Sequence, residues 1–166
     1  MTPALFQKIL VPVDFSECSE EAFRVACLLA RTFSASDVIL LHVVDTKSLG
    51  ALNRLGLAGP TEERKQTKRL SHQARLFARG LMNADDAKGL PIRRLIREGA
   101  PFVEIARVVR SEKVNLVVMG SYGGQGGSVE KIFFGSTAEK IVRTAGCPVL
   151  TVPLPSKLGP RKGAWS

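Results

Sequence analysis

A glycine-rich stretch after residue 119 carries the clearest chemical signal in this sequence. An apolar run over residues 114–119 stops at Gly120, further glycines follow between residues 123 and 127, and residues 135–137 open a helical pattern. Glycine lets the backbone turn and lets a ligand approach closely. The first N–H groups of a helix have no partner within the helix and attract anions. The stretch therefore predicts that a nucleotide phosphate binds over Gly135, Ser136 and Thr137.

The same residues also have a purely structural interpretation. Ser136 and Glu139 have the spacing of a capping box, which needs no ligand. A glycine-rich segment can equally be a plain flexible loop. Neither alternative is excluded by this stretch alone.

Motifs for catalysis are missing from the sequence. There is no phosphate-binding loop ending in Gly-Lys-Ser/Thr, and a dinucleotide-binding pattern that starts at Gly124 fails because residue 129 is Val. The serines lack a histidine in a recognisable triad motif, and no acidic cluster marks a dedicated metal site. We therefore assign no catalytic residue and no metal ligand, and expect a binding or signalling module.

Composition and charge limit the classes of partner. The chain has 166 residues, enough for one domain with a sizeable core, and a net charge of +9 that favours acidic partners. Six cations and no acid lie between Arg64 and Arg79, but without interleaved aromatic residues we expect a solvated helix face rather than a nucleic-acid site. No apolar run approaches the ~20 residues of a membrane span, so a membrane is not expected as a partner.

Cysteine usage and the N-terminus indicate the compartment. Cys18, Cys27 and Cys147 are an odd number without metal-ligand spacing, and the first residues do not form a signal peptide. A reducing cytoplasm is the expected location.

Strand and helix patterns alternate along the chain. Apolar runs predict strands over residues 8–14, 38–44, 92–98, 114–119 and 149–152. Helices are predicted from Ser16 or Ser19, from Thr61, from Pro101, and over residues 136–145, the last followed by Gly146 in a left-handed conformation. Three arginines place the third strand at the edge of the sheet. This alternation predicts an α/β fold, a single doubly wound domain with a parallel sheet and helices on both faces.

Three smaller predictions complete the organisation of the chain. Residues 46–60 predict a long connection, either a binding loop or a mobile insertion. His42 lies inside the second strand, where a hydrogen-bonded core histidine is the favoured interpretation. Residues 1–154 form the predicted domain, and residues 155–166 a flexible basic tail.

Ligands of doubly wound sheets bind beyond the carboxyl ends of the strands, where the strand order reverses. Asp14 ends the first strand and the glycine-rich stretch follows the fourth. In the strand order 3-2-1-4-5 these two strands flank the reversal, so both features point at one crevice. This convergence strengthens the nucleotide hypothesis.

With these residues in place, the chain resembles the universal stress protein family from Lys8 to Pro153. The matching segments, in order, are KILVPVDFSECS, ILLHVVD, REGAPFVEI, VNLVVMGSYG and FFGSTAEKIVRTAGCPVLTVP. The resemblance implies a five-stranded parallel sheet of order 3-2-1-4-5. It also implies a homodimer joined through the last strand, Val149–Val152.

One branch of this family binds ATP through the motif Gly-x-x-Gly-x9-Gly-Ser/Thr. Both halves are present here, but eleven residues (124–134) separate Gly123 from Gly135 instead of nine. The resemblance implies bound ATP, with Mg²⁺ carried by the nucleotide, in a stress-response module that can act on a protein partner. Alternatives are a nucleotide-free interaction dimer, its loop disabled by the two extra residues, and a slow ATPase.

The resemblance also implies the residues that hold the nucleotide. Pro12 and Asp14 would lie near the adenine and the ribose, Val43 would offer backbone contacts to the base, and Met119 would pack on the ring. The phosphates would be held by Gly120, Gly123, Gly135, Ser136 and Thr137.

Overall fold

Five parallel strands form the central sheet in the computed structural model, which describes residues 5–57, 59–122 and 135–153. In chain order the strands are β1 (Lys8–Pro12), β2 (Asp37–Asp45), β3 (Ile92–Gly99), β4 (Leu116–Gly120) and β5 (Val149–Val152). Their order across the sheet is β3-β2-β1-β4-β5, and every pair is parallel. The predicted fold class and strand order are therefore confirmed.

Helices cover both faces of this sheet. They are α1 (Glu17–Thr32), α2 (Thr46–Arg54), α3 (Pro60–Met82), α4 (Pro101–Ser111) and α5 (Ser136–Thr144), with a short 3-10 turn at Asp85–Ala87. Side chains of α1 and α3 enclose one apolar core with one face of the sheet, and side chains of α4 and α5 enclose a second core on the other face. Residues of β1 alternate between the cores, as Ile9 and Leu10 show, and both are fully buried. Burial of β1 on both faces explains why its sequence is apolar without alternation.

Helix α1 begins where the sequence predicts. Ser16 is the N-cap, and its hydroxyl accepts a hydrogen bond from the Ser19 N–H at 3.2 Å. The apolar face of the helix is buried and includes Ala22, Phe23, Ala26, Cys27 and Ala30. Burial raises the pKa of the Cys27 thiol to about 11, so this thiol stays protonated at neutral pH.

The prediction of a long loop over residues 46–60 is wrong, because residues Thr46–Arg54 form α2. Asp45 makes this possible: its Oδ1 accepts hydrogen bonds from the N–H groups of Lys47 and Ser48 at 3.1 and 3.0 Å. A short helix that buries none of its residues gives little apolar periodicity to read. Helix α3 then begins at Pro60, one residue before the predicted Thr61, since proline suits the first helical turn.

Strand β3 lies at the edge of the sheet, as predicted. Arg93 makes three hydrogen bonds to Asp37 on β2, at 3.0 and 3.2 Å through Nε and at 3.0 Å through Nη2, and a fourth from Nη2 to Glu112 at 2.7 Å. The six cations between Arg64 and Arg79 on α3 are all exposed, as predicted for a solvated helix face. In the part of the chain that the structure describes, no helix has both the length and the apolarity required to cross a bilayer.

The end of α5 differs from the sequence prediction. The helix stops at Thr144, and Ala145 has extended backbone angles of φ −65° and ψ 132°. Gly146 is not among the residues with positive φ. Because the chain leaves α5 in an extended conformation and enters β5 directly, no left-handed residue is required there.

Candidate functional site

The turn after β1 holds an acidic side chain at the carboxyl end of the sheet. Asp14 Oδ1 accepts hydrogen bonds from the Ser16 N–H at 3.2 Å and from the Ser16 hydroxyl at 2.5 Å. The Ser19 hydroxyl accepts from the Asp14 N–H at 3.3 Å and donates to the Ser16 carbonyl at 2.9 Å. This network joins the end of β1 to the first turn of α1, and it fixes the position of the exposed Asp14 carboxylate.

Strand β2 extends beyond the end of β1 and presents backbone groups there. The Leu41 carbonyl accepts a hydrogen bond from the Val13 N–H at 2.8 Å, across the β1 side. The Val38 N–H donates instead to the Pro91 carbonyl, on the β3 side. Since backbone polar groups alternate between the two neighbours along a strand, the N–H and C=O of Val43 point to the β1 side, past Pro12, where β1 has ended.

Gly120 ends β4 at a point of close contact with α1. A Cβ atom at this position would lie 2.9 Å from Cys18 Sγ and 3.1 Å from the Cys18 backbone carbon. The Cys18 thiol also donates to the Val152 carbonyl at 3.1 Å, so the start of α1 lies against the ends of both β4 and β5. Glycine is required here by this close approach rather than by an unusual φ angle.

The N-terminus of α5 faces the same edge of the sheet. Its N-cap is Gly135, and no side chain caps the helix. The predicted capping box is therefore wrong: Ser136 lies at the first helical position, one residue too late to cap, and Glu139 pairs with Arg143 at 3.0 Å. The Gly135 N–H donates to the Ser121 carbonyl at 2.8 Å, which joins the beginning of α5 to the end of β4.

These elements enclose a cavity of about 280 Å³. It is lined by Pro12, Val13, Asp14, Ser19, Leu41, Val43, Pro101, Ile105, Met119, Gly120, Tyr122, Gly135, Ser136, Thr137 and Ala138. The volume is close to the lower end of the ~300–1,000 Å³ usual for ligand pockets. Like those pockets, it is lined by apolar side chains together with a few polar groups.

Eight of the nine sequence-predicted site residues line this one cavity. They come from β1, β2, β4 and α5, and are Pro12, Asp14, Val43, Met119, Gly120, Gly135, Ser136 and Thr137. The ninth, Gly123, lies outside the described residues. The described residues predicted to flank the crevice beyond the ends of β1 and β4 therefore line a single cavity.

Other lining residues had no signal in the sequence. Pro101 and Ile105 belong to α4, which was interpreted only as a packing helix, and Leu41 resembles any core residue of β2. Tyr122 lies between two glycines of the predicted motif and was not singled out. Only the placement of α4 against β2 shows that its first turns reach the cavity.

Charge is distributed unevenly around the cavity. The N-terminus of α5 carries the positive end of the helix dipole, whereas Asp14 contributes a carboxylate near the end of β1. Next to the cavity, burial lowers the pKa of His42, so its ring is neutral at neutral pH. Among the described residues, no group of three or more His, Cys, Asp or Glu side chains could hold a metal ion. The arrangement therefore fits an anion at the α5 end and hydrogen-bond donors, such as hydroxyl groups, at the Asp14 end.

Comparison with known proteins matches the chain over nearly its whole length. The sequence model of the Universal stress protein family matches residues 5–153. Universal stress protein MJ0577 of Methanocaldococcus jannaschii is 29% identical over 157 residues, which cover 89% of this chain and 95% of that protein. Universal stress protein MJ0531 of the same organism is 31% identical over 153 residues, covering 92% of this chain and 85% of the relative.

Solved structures show the same architecture. The structure of MJ0577 has a TM-score of 0.73 at 28% identity and covers 90% of this chain and 96% of its own. A universal stress family protein from Arabidopsis thaliana, solved with AMP bound, has a TM-score of 0.57 at 20% identity, covering 94% of this chain and 97% of that one. At 20% identity the likeness concerns the fold.

Proposed function

The chain belongs to the universal stress protein family, and we propose that it is an ATP-binding stress-response module that acts as a homodimer. The observation that carries the proposal is the convergence of eight predicted nucleotide-binding residues on one cavity. The AMP bound to the Arabidopsis relative is consistent with an adenine nucleotide, but the proposal for this chain depends on its own residues.

At the inner end of the cavity, the lining suits an adenine base and its ribose. Pro12 at the end of β1 and Met119 on the neighbouring β4 both line the space and provide apolar surface. The Val43 N–H and C=O supply one donor and one acceptor, which match the acceptor and donor on the edge of adenine. The Asp14 carboxylate accepts hydrogen bonds, as the ribose hydroxyls require.

The outer end suits the phosphates. The first N–H groups of α5, at Ser136 and Thr137, have no side-chain cap and are directed to the cavity edge. An anion at this position satisfies these donors and interacts favourably with the helix dipole. Gly120 brings the end of β4 close to the same region, and Gly123 remains the predicted continuation of this phosphate contact.

Described residues on either side of the segment with two extra residues are joined by hydrogen bonds. The Gly135 N–H donates to the Ser121 carbonyl at 2.8 Å. The Ser121 N–H donates to the Val152 carbonyl at 2.8 Å, which attaches the same point to β5. These bonds fix the beginning of α5 against the end of β4, and this supports the phosphate site over the nucleotide-free dimer.

Mg²⁺ fits this proposal as an ion bound to the phosphates rather than to the protein. Mg²⁺ keeps several water ligands and commonly binds one or two carboxylates together with substrate phosphates. Asp14 is the only carboxylate among the described lining residues and is assigned to the ribose, so the proposal gives Mg²⁺ no carboxylate ligand from the protein.

The homodimer is proposed through β5. This strand lies at the free edge of the sheet, and unpaired edges pair readily with another chain. Leu150 on β5 and Val142 on α5 are 39% and 48% exposed, which leaves apolar surface beside that edge.

Calorimetric titration tests the nucleotide proposal. Mg-ATP should bind the wild-type protein in this titration. In a separate thermal unfolding experiment, Mg-ATP at 100 times its Kd should stabilise the folded protein by about 2.7 kcal/mol and so raise the unfolding midpoint. Mg-GTP should bind more weakly, because guanine reverses the donor and acceptor opposite Val43. Pyrophosphate serves as the control for attraction to the +9 charge.

A matched pair of variants localises the binding. Gly135→Val places a branched side chain at the cavity edge and should abolish ATP binding. Gly146→Val makes the same change beyond the other end of α5, where a Cβ meets no atom within 4 Å, and should bind as the wild type does. Equal ATP affinity in both variants, or no binding by the wild type at millimolar ATP, would refute the proposal.

The dimer has its own measurement. Leu150→Asp should convert a dimer to a monomer in sedimentation velocity, because it places a charge at the proposed interface. Leu76→Asp alters a leucine on α3 that is 55% exposed and lies away from the proposed interface, and it should leave the mass unchanged. The homodimer is excluded if the wild-type protein sediments as a monomer even at 100 times the concentration used to compare the variants.

A further inference from the structure

A side chain replaces a backbone hydrogen bond at the edge of the cavity. In a regular parallel ladder, Val13 would donate to Leu41 and accept from Val43, since the bonds are evenly spaced. The first of these bonds is present, at 2.8 Å. Within residues 5–57, 59–122 and 135–153, no backbone bond joins the Val43 N–H to the Val13 carbonyl. That carbonyl instead lies 2.8 Å from His42 Nδ1.

The direction of this hydrogen bond is fixed by chemistry. A carbonyl oxygen can only accept, so His42 Nδ1 must carry the proton. The ring is buried and neutral, with its single N–H at this nitrogen. The histidine side chain therefore donates to the Val13 carbonyl in place of the Val43 N–H, which would be the donor in a regular ladder.

Aromatic side chains hold the ring in this orientation. The Phe15 ring lies on His42 with centroids 4.4 Å apart and planes tilted by 30°. The Phe77 ring of α3 contacts Phe15 edge-on, with centroids 4.6 Å apart. Phe15 has a φ of 69°, an uncommon conformation for a residue other than glycine. The tight turn after Asp14 thus brings Phe15 back over the histidine and leaves the ring little freedom.

We propose that His42 is a positioning residue that opens the base-binding end of the cavity. Because the histidine satisfies the Val13 carbonyl, the segment after β1 can turn away from β2 at Val13, before it pairs with Val43. The N–H and C=O of Val43 then remain available to a nucleobase. The inference rests on the proposed adenine nucleotide as the ligand. It assigns a reason for the histidine beyond core packing: without its donor, Val43 would pair with Val13 and the base subsite would close.

Amide hydrogen exchange in the ligand-free protein tests the positioning role without any nucleotide. The Val43 amide should exchange at least tenfold faster than the Leu41 amide, which lies inside the paired part of β2. His42→Leu removes the donor and keeps an apolar side chain, so the Val43 amide should become at least tenfold slower. His42→Asn keeps a donor near the position of Nδ1 and should restore fast exchange.

A slow Val43 amide in the wild type, or an unchanged one in His42→Leu, would overturn the inference. His42→Met gives a second donor-free variant of different shape in case the leucine variant does not fold. Thermal unfolding of each variant establishes that the exchange is measured on folded protein.

Binding separates this inference from the proposed function. His42→Leu should weaken Mg-ATP binding at least tenfold, leave pyrophosphate binding within twofold, and recover with asparagine. If the wild type binds ATP and His42→Leu binds it equally, the inference fails and the proposed function stands. If the wild type does not bind ATP, the proposed function and the base subsite both fail.

Discussion

Substitution of Gly120 tests whether close packing between β4 and α1 determines the shape of the cavity. In Gly120→Ala, the new methyl group would meet Cys18 Sγ at 2.9 Å, the Cys18 backbone carbon at 3.1 Å and its Cβ at 3.2 Å. Ordinary contacts of this kind are longer than 3.4 Å, and the backbone atom cannot rotate away. The φ angle of Gly120 is not positive, so the cost is steric alone.

The expected loss is about 2 kcal/mol in the free energy of unfolding, typical for an extra methyl group in a packed interior. For a protein of this size, the unfolding midpoint should fall by ~4–8 °C. Urea unfolding followed by circular dichroism measures the free energy, and thermal unfolding followed by the same signal measures the midpoint. Gly80→Ala is the matched control, because that glycine lies within α3 with open space around it; it should stabilise the protein by about 0.5–1 kcal/mol.

A double-mutant cycle identifies the contact responsible. Cys18→Ala removes the sulfur and with it the shortest contact, so Gly120→Ala should cost at least about 0.5 kcal/mol less in that background. Independent, additive effects of the two substitutions would refute this reasoning, as would a Gly120→Ala variant as stable as the wild type.

Three further predictions concern other contacts. Asp45→Ala removes the N-cap of α2 and should destabilise that helix by about 1 kcal/mol. Amide exchange should accelerate within Thr46–Arg54. The core amides of β2 should keep their exchange rates, because α2 buries no residue. The pKa of His42 is lowered in the folded state, so the neutral ring contributes its full stabilisation above the unfolded pKa near ~6.5, and this stabilisation is lost as the pH falls from there through the folded pKa. Urea midpoints should therefore drop over this pH range in the wild type and drop less in His42→Asn. Equal drops in the two proteins would contradict the assignment. Cys147 should react with a thiol reagent at pH 8 well before Cys27, whose buried thiol has its pKa raised to about 11; mass spectrometry of labelled peptides measures the order, and full labelling in guanidinium is the control.

Much of the fold could be predicted because the sheet is buried on both faces. Apolar runs at β1, β2 and β4 are required when helices cover both sides, and the arginines of β3 are tolerated only at an edge. The positions of Asp14 and Gly120 after β1 and β4 then follow from parallel topology, since the carboxyl ends of parallel strands meet at one edge. For this reason eight of the residues predicted from the sequence to bind a nucleotide line one cavity.

The local errors share a physical cause. Helix α2 was missed because it buries no residue, so its formation depends on the Asp45 cap rather than on an apolar stripe. The capping box at Ser136 was wrong because a cap depends on the residue at which the chain enters the helix. That residue is fixed here by the contact of Gly135 with Ser121, which no local pattern contains.

The sequence by itself therefore determined the order of strands and helices, the edge strand and the set of residues at the carboxyl end of the sheet. These properties follow from burial and chain direction, which are visible as apolar runs and their spacing. The tertiary structure alone decided how those residues form a cavity. The contact of Gly120 with Cys18, the reach of α4 to the cavity, and the donation from His42 to Val13 each join segments far apart in the chain. Such contacts depend on distances of a few ångströms between packed elements, and no one-dimensional pattern specifies them.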